Sequence, residues 1–198
     1  MRAPRAETRE IVELRQLKAT QPELASAVDM QIALVDMAYR AHEVLGCVGD
    51  LQRRARAAGV PVIHLQHHHA SYAPLLPGAP TWHIHPEVAP VDGEVVIGKT
   101  ASDSFHRTSL QDELRRRAVK HLVVTGMQTE YCVDTTVRRA ISLGFDVTLV
   151  ADGHTTRDAL LPAADAIRHH NSVLSSLAHP DHHVTVVAGR DVRFEEKP

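Results

Sequence analysis

Short runs of apolar residues alternate along this chain with segments whose apolar positions recur at helical spacing, and that rhythm restricts the fold more than any other feature. Ile32-Ala33-Leu34-Val35, Val60–Leu65, Val95-Val96-Ile97, His121–Thr125, Phe145–Val150 and Val184–Val187 read as six strands. Between them, the stretches 43–58, 110–118, 131–143 and 162–177 read as helices. The first of these carries Val44, Leu45, Val48, Leu51 and Ala55 on one face and stops at Gly59. Continuously apolar strands need cover on both faces, and right-handed crossovers between parallel strands supply it. The expected fold is therefore α/β, a three-layer α/β/α domain around a six-stranded, mostly parallel, doubly wound, Rossmann-like sheet. Ahead of it, Ile11, Leu14 and Leu17 share one helix face until Gln21-Pro22 breaks the pattern. Residues 1–28 thus read as an N-terminal helical arm, and 29–198 as a single domain.

Charge and composition narrow the partners. A net charge of −2 offers no basic face for nucleic acid. The run Arg115-Arg116-Arg117 falls within an expected helix, where such runs form solvated faces. No apolar stretch approaches the ~20 residues needed to span a bilayer. The charged start of the chain lacks an apolar signal core, which points to the cytoplasm. Cys47 and Cys132 then read as free thiols rather than as a disulfide.

In doubly wound sheets, ligands bind beyond the carboxyl ends of the strands. Three reactive groups fall there on this reading: Asp36 closes the first strand, Lys99 follows the third, and Cys132 follows the fourth. Taken singly, each has an ordinary explanation as a turn-forming Asp, a surface Lys or a small buried Cys. Together they suit nucleophilic catalysis. A cation and a helix N-terminus would favour the thiolate, and a carboxylate would carry its proton.

Those segments resemble the isochorismatase-like cysteine hydrolases, the superfamily that includes nicotinamidases, N-carbamoylsarcosine amidohydrolases and streptothricin hydrolase. The likeness rests on Ala33-Leu34-Val35-Asp36-Met37, on Gly98-Lys99-Thr100-Ala101-Ser102-Asp103-Ser104-Phe105, and above all on Gly126-Met127-Gln128-Thr129-Glu130-Tyr131-Cys132-Val133, the family's Gly-x-x-Thr-x-x-Cys-Val turn. It implies an amidohydrolase cleaving a C–N bond of a small amide, lactam or ureido substrate through an acyl enzyme. Cys132 would be its nucleophile, Asp36 its proton shuttle and Lys99 its charge organiser. It further implies a cis peptide at Met127–Gln128, an oxyanion hole from the backbone N–H groups of Gln128 and Cys132, and assembly into a dimer or tetramer. Members that cleave the vinyl ether of isochorismate lack the cysteine, so Cys132 argues against that reaction.

One departure stands out. The family's first strand continues Asp-Met-Gln-Asn-Asp-Phe, whereas Asp36 is followed by Met37-Ala38-Tyr39-Arg40. Nicotinamidases also carry an Asp-x-His metal motif where this chain has His67-His68-His69. Adjacent imidazoles on extended backbone alternate sides and converge poorly on one ion, even with His83 and His85 nearby. The 15 histidines therefore read as structural or solvent-facing, with no metal and no cofactor. Tyr72, Trp82, Phe105, Glu130 and Tyr131 are the candidate substrate contacts. A metal-assisted nicotinamidase-type enzyme, a non-catalytic binding member of the fold and a redox-sensing thiol protein are the alternatives. The intact set Asp36, Lys99, Cys132 weighs against the second, and the absence of an evident resolving cysteine against the third.

Overall fold

The computed structural model describes residues 23–194. Six parallel strands form one sheet in the order β3-β2-β1-β4-β5-β6. They are β1 (Glu23–Val28), β2 (Val62–His67), β3 (Val95–Lys99), β4 (His121–Met127), β5 (Asp146–Thr155) and β6 (Val184–Val187). Five α-helices connect them: α1 (Ile32–Val35), α2 (Ala41–Ala57), α3 (Leu110–Arg116), α4 (Asp134–Ser142) and α5 (Ala163–Ser175).

The three-layer expectation holds, and alternation along the strands explains it. Leu24 and Val28 of β1, Leu122 and Val124 of β4, and Val147 and Leu149 of β5 enter one core with Leu114, Val137, Ile141 and Leu174 from α3, α4 and α5. The intervening residues Ala27, Val123 and Val150 turn to the other face, where Val44, Leu45, Val48 and Leu51 of α2 cover them. The central strands β1, β4 and β5 are thus apolar on both sides, as a covered parallel sheet requires.

The start of the sheet differs from the sequence reading. Ile32–Val35 is a single helical turn, and the central first strand is Glu23–Val28. A run of four apolar residues fits either conformation by periodicity alone. Here, N–H groups of Leu34, Val35 and Asp36 close helical bonds to Gln31 and Ile32. The boundary placed after residue 28 therefore falls at the end of a core strand rather than at the end of an arm. The helix face expected of Ile11, Leu14 and Leu17 lies outside the described residues.

The chain runs outward from β1 through β2 to β3, then returns to place β4 on the other side of β1. This reversal is the topological switch point, at the carboxyl ends of β1 and β4, where ligands bind in such sheets. The two strands approach closely there. Val28 pairs with Gly126, whose φ is +123°, and a Cβ on Gly126 would collide with the Val28 carbonyl oxygen. Only glycine fits.

The long connection between β2 and β3 contains three short 3₁₀ turns, Ala73–Leu75, Pro80–Trp82 and Pro86–Val88. It is tied across the end of β1: Ile32 N–H donates to the His83 carbonyl, and His85 N–H to that of Met30. The side chain of buried Gln52 donates to the Val88 carbonyl and fastens the loop to α2. Among the described residues, no helix is long and apolar enough to cross a membrane.

Candidate active site

Asp29 is the first residue after β1, Lys99 the last of β3, and Cys132 sits in a π-helical turn, Thr129–Val133, that joins β4 to α4. Lys99 Nζ lies 2.6 Å from Asp29 Oδ2 and 3.2 Å from Cys132 Sγ. The same ammonium is 3.0 Å from the Ala101 carbonyl and 3.4 Å from His67 Nδ1. Because β2 pairs with β3 so that His67 is opposite Lys99, the imidazole joins the cluster as a consequence of strand register.

The carboxylate in this cluster is Asp29, and Asp36 does not belong to it. Asp36 stands exposed at the end of α1, its N–H bonded to the Ile32 carbonyl. Misreading α1 as the first strand moved the expected strand end to the wrong aspartate. A signal for the right one was present: Asp29-Met30-Gln31 reproduces the Asp-Met-Gln that the family pattern demands and that Asp36-Met37-Ala38 lacks. Gln31 has its own place in the site. Its fully buried side chain donates to the His67 carbonyl at 3.0 Å and accepts from the His67 N–H at 2.8 Å, clamping the end of β2.

Electrostatics also revise the expected thiolate. Burial, followed by the charge of Asp29, pushes the Cys132 thiol up to about 12, with Lys99 pulling the other way. Burial opposes the charge on Lys99, but Asp29 and Cys132 outweigh it and hold the ammonium above its ordinary value. Burial and then Lys99 lower the pKa of His67. At neutral pH the resting cluster therefore holds a protonated Cys132 thiol and a neutral His67 imidazole beside the Lys99 ammonium. The thiol's proton has a nearby acceptor in Asp29, so ionisation can accompany attack instead of preceding it.

Asp29, His67 and Cys132 offer ligand atoms within 4.8 Å of one another, the only such group of three among the described residues. Lys99 Nζ contacts all three residues, so a fixed positive charge already occupies the place a cation would take. The donor set does not suit a divalent metal in this arrangement. The other loop histidines serve elsewhere. His68 packs against Trp82 and closes over Gly98, while His69 Nδ1 accepts from the N–H groups of Ser71 and Tyr72. His85 Nδ1 accepts from Glu87 N–H, and His83 meets Trp82 edge-on.

The turn that carries Cys132 is held from β5. Its Met127–Gln128 peptide bond is cis. The Gln128 carbonyl accepts from both Tyr131 and Val133 N–H. Thr129 and fully buried His154 are 2.9 Å apart, His154 Nε2 contacts Asn171 Oδ1, and Asn171 Nδ2 donates to the Ala151 carbonyl. Thr156 donates to Glu130 Oε1 at 2.9 Å. Among the expected substrate contacts, Tyr131 and Tyr72 are exposed and Trp82 is partly so. Phe105 is instead part of the core, stacked on Phe145. Its ring is spent on packing the sheet.

The second cysteine lies apart from this centre. Cys47 borders a cavity of about 270 Å³ together with Tyr39, Arg40, Asp152 and His154. Burial and the charge of Asp152 push its thiol up to about 12. It is 3.9 Å from Asp152 Oδ1 and has no sulfur partner.

The isochorismatase domain model matches residues 27–178. The chain belongs to the isochorismatase family. Streptothricin hydrolase from Streptomyces noursei is 41% identical over 143 residues, which is 71% of this chain and 56% of that protein. The chain thus spans little more than half the length of that relative. The secreted isochorismatase effector Isc1 of Verticillium dahliae is 32% identical over 146 residues, 73% of this chain and 75% of the effector. Among solved structures, an isochorismatase-family protein from Chromobacterium violaceum is 34% identical, with a TM-score of 0.73 over 86% of this chain and 91% of its own. Membership accounts for the Gly-x-x-Thr-x-x-Cys-Val turn and the all-parallel sheet together.

Proposed function

We propose that this isochorismatase-family chain is a cysteine amidohydrolase that cleaves a C–N bond in a small amide, lactam or ureido substrate. The observation that carries the reading is the contact of one buried ammonium with both Asp29 and Cys132 at the switch point. A ureidoacrylate amidohydrolase from Variovorax paradoxus, 29% identical over 164 residues and 63% of this chain, and streptothricin hydrolase support it by name.

The chemistry follows from the cluster. Cys132 Sγ attacks the carbonyl carbon while its proton passes to Asp29. The oxyanion develops against backbone N–H groups of the Gln128–Cys132 turn, with those of Gln128 and Cys132 as the donors. Asp29 returns the proton to the leaving nitrogen, the C–N bond breaks, and a thioester remains on Cys132. Water, losing a proton to Asp29, then attacks the thioester; the acid leaves and the proton returns to sulfur. Lys99 stays charged throughout and keeps the carboxylate and sulfur in place. The substrate is a small molecule, the setting cytoplasmic and the working form a homo-oligomer on this reading.

Intact mass spectrometry after incubation with a panel of small amides and ureido compounds tests it. A covalent adduct present in the wild type and absent in Cys132→Ala supports the acyl enzyme, whereas turnover that survives Cys132→Ala would sink it. Chelators should leave turnover unchanged, because Lys99 already supplies the positive charge.

A further inference from the structure

The cavity of about 270 Å³ beside Cys47 lies between α2, the end of β5 and α5, and its lining includes none of Asp29, His67, Lys99 and Cys132. Arg40, Glu43 and Asp152 are exposed and form its mouth, while buried Val44 and His154 form its floor. Neither its thiol nor its imidazole is free for chemistry. Burial and then Asp152 push the Cys47 thiol up to about 12. Burial keeps His154 neutral, and its two ring nitrogens are engaged by Thr129 Oγ1 and Asn171 Oδ1, each at 2.9 Å. The cavity is therefore fitted to bind rather than to react, and its floor offers a ring with no free nitrogen.

The charges around it narrow what it fits. Arg40 Nε lies 3.1 Å from Glu43 Oε1, so those two offset each other. Further along α2, Arg54 directs its guanidinium to Asp50 and to the carbonyls of Val192 and Gly189. Asp152 has no such cation. Its Oδ1 accepts from the Gly189 N–H at 2.7 Å and lies 3.9 Å from the Cys47 sulfur, and its Oδ2 has no partner among the described residues.

We infer that this cavity is a binding site for a small aliphatic primary amine, whose ammonium meets Asp152 Oδ2 while its carbons lie against Val44 and Ile167. An ammonium brings three donors to an acid already fixed in place by Gly189, and a charge-assisted bond of this kind is about twice as strong as a neutral one. The cavity volume falls just below the ~300–1,000 Å³ of sites for drug-sized ligands, which limits the amine to a few carbons. The site stands whether or not Cys132 forms an acyl enzyme, because the two share no residue.

Ligand-detected NMR titration with 3-methylbutylamine tests it, with 4-methylpentanoate as a control of similar skeleton and opposite charge. Near neutral pH the amine should bind with a Kd on the order of 10⁻⁴ to 10⁻³ M, and the acid should not bind. Asp152→Asn keeps an oxygen for the Gly189 N–H and should weaken the amine about tenfold or more. Ala164→Phe fills the cavity from an exposed helix position and should abolish binding. Cys132→Ala should bind as the wild type does. In that variant the amine should also slow modification of Cys47 by methyl methanethiosulfonate, read by intact mass. No amine binding, equal binding of the acid, undiminished binding in Asp152→Asn or Ala164→Phe, or no protection of Cys47 would each overturn the site. Loss of binding in Cys132→Ala would overturn it too, by placing the amine at the Cys132 cluster instead.

Discussion

Asp29 and Lys99 form an ion pair at 2.6 Å with both side chains fully buried, reaching across the end of β2, which separates their two strands. Removing charges from water is expensive, and a buried pair persists only where its geometry and additional hydrogen bonds offset that cost. Here the Ala101 carbonyl and Cys132 sulfur supply the additional contacts.

The two aspartates should separate cleanly in turnover. Asp29→Asn removes the proposed proton carrier and should lower kcat by about 10² to 10⁴, whereas Asp36→Asn, at an exposed helix end, should leave kcat within about twofold. Steady-state rates on any amide that the wild type turns over decide it, and a dead Asp36→Asn with an active Asp29→Asn would refute the assignment.

Lys99→Met should destabilise the fold by about 3–5 kcal/mol, because Asp29 is left as an uncompensated buried charge. Asp29→Asn/Lys99→Met removes both charges and should recover a good part of that loss. Urea unfolding of the two variants measures the difference, and a double variant as unstable as the single would contradict it.

Alkylation reports on the thiol. With its pKa near 12, the reactive thiolate fraction of Cys132 grows about tenfold per pH unit through the alkaline range. In a Cys47→Ala protein, the iodoacetamide rate at Cys132 should therefore keep rising between about pH 8 and 10. A plateau near pH 7 would instead mean a resting thiolate.

His154 makes stability sensitive to acid. Burial lowers its pKa to about 4, while the unfolded chain takes up that proton near 6.5. The folded state is thus favoured in full above pH 6.5, and this contribution is lost as the pH falls toward 4. The total is roughly 3 kcal/mol. His154→Gln should flatten the acid limb of unfolding free energy against pH by about one proton. An unchanged slope would rule His154 out as its source.

The strands β2 to β6 and the helices α2 to α5 were legible because each carries a clear apolar period. Lys99 and Cys132 were legible because they follow such strands. β1 was not. Glu23-Leu24-Ala25-Ser26-Ala27-Val28 is poor in β-branched residues and follows Gln21-Pro22, so nothing local marks it as a strand. Its conformation is imposed by pairing with β2 and β4 on either side. Ile32–Val35 shows the converse, a β-branched and apolar run wound into one helical turn. From that exchange came the displaced aspartate. The rise in the Cys132 pKa was hidden for a different reason, since residue spacing carries no measure of how completely a site is closed to water. His67 was visible as a residue, but its contact with Lys99 depends on the register between β2 and β3.

The π-helical turn delivers Cys132 to partners that belong to β1 and β3, on the far side of the point where the chain doubles back. No contiguous fragment short of Asp29 through Cys132 holds all three groups. Asp29 and Cys132 come together only once the central strands have joined, so loss of turnover and loss of the central sheet should coincide during denaturation. Under the proposed mechanism a rate assay doubles as a gauge of intact tertiary structure, and a proteolytic nick anywhere between those two residues would be read out as lost catalysis only if it let the strands part.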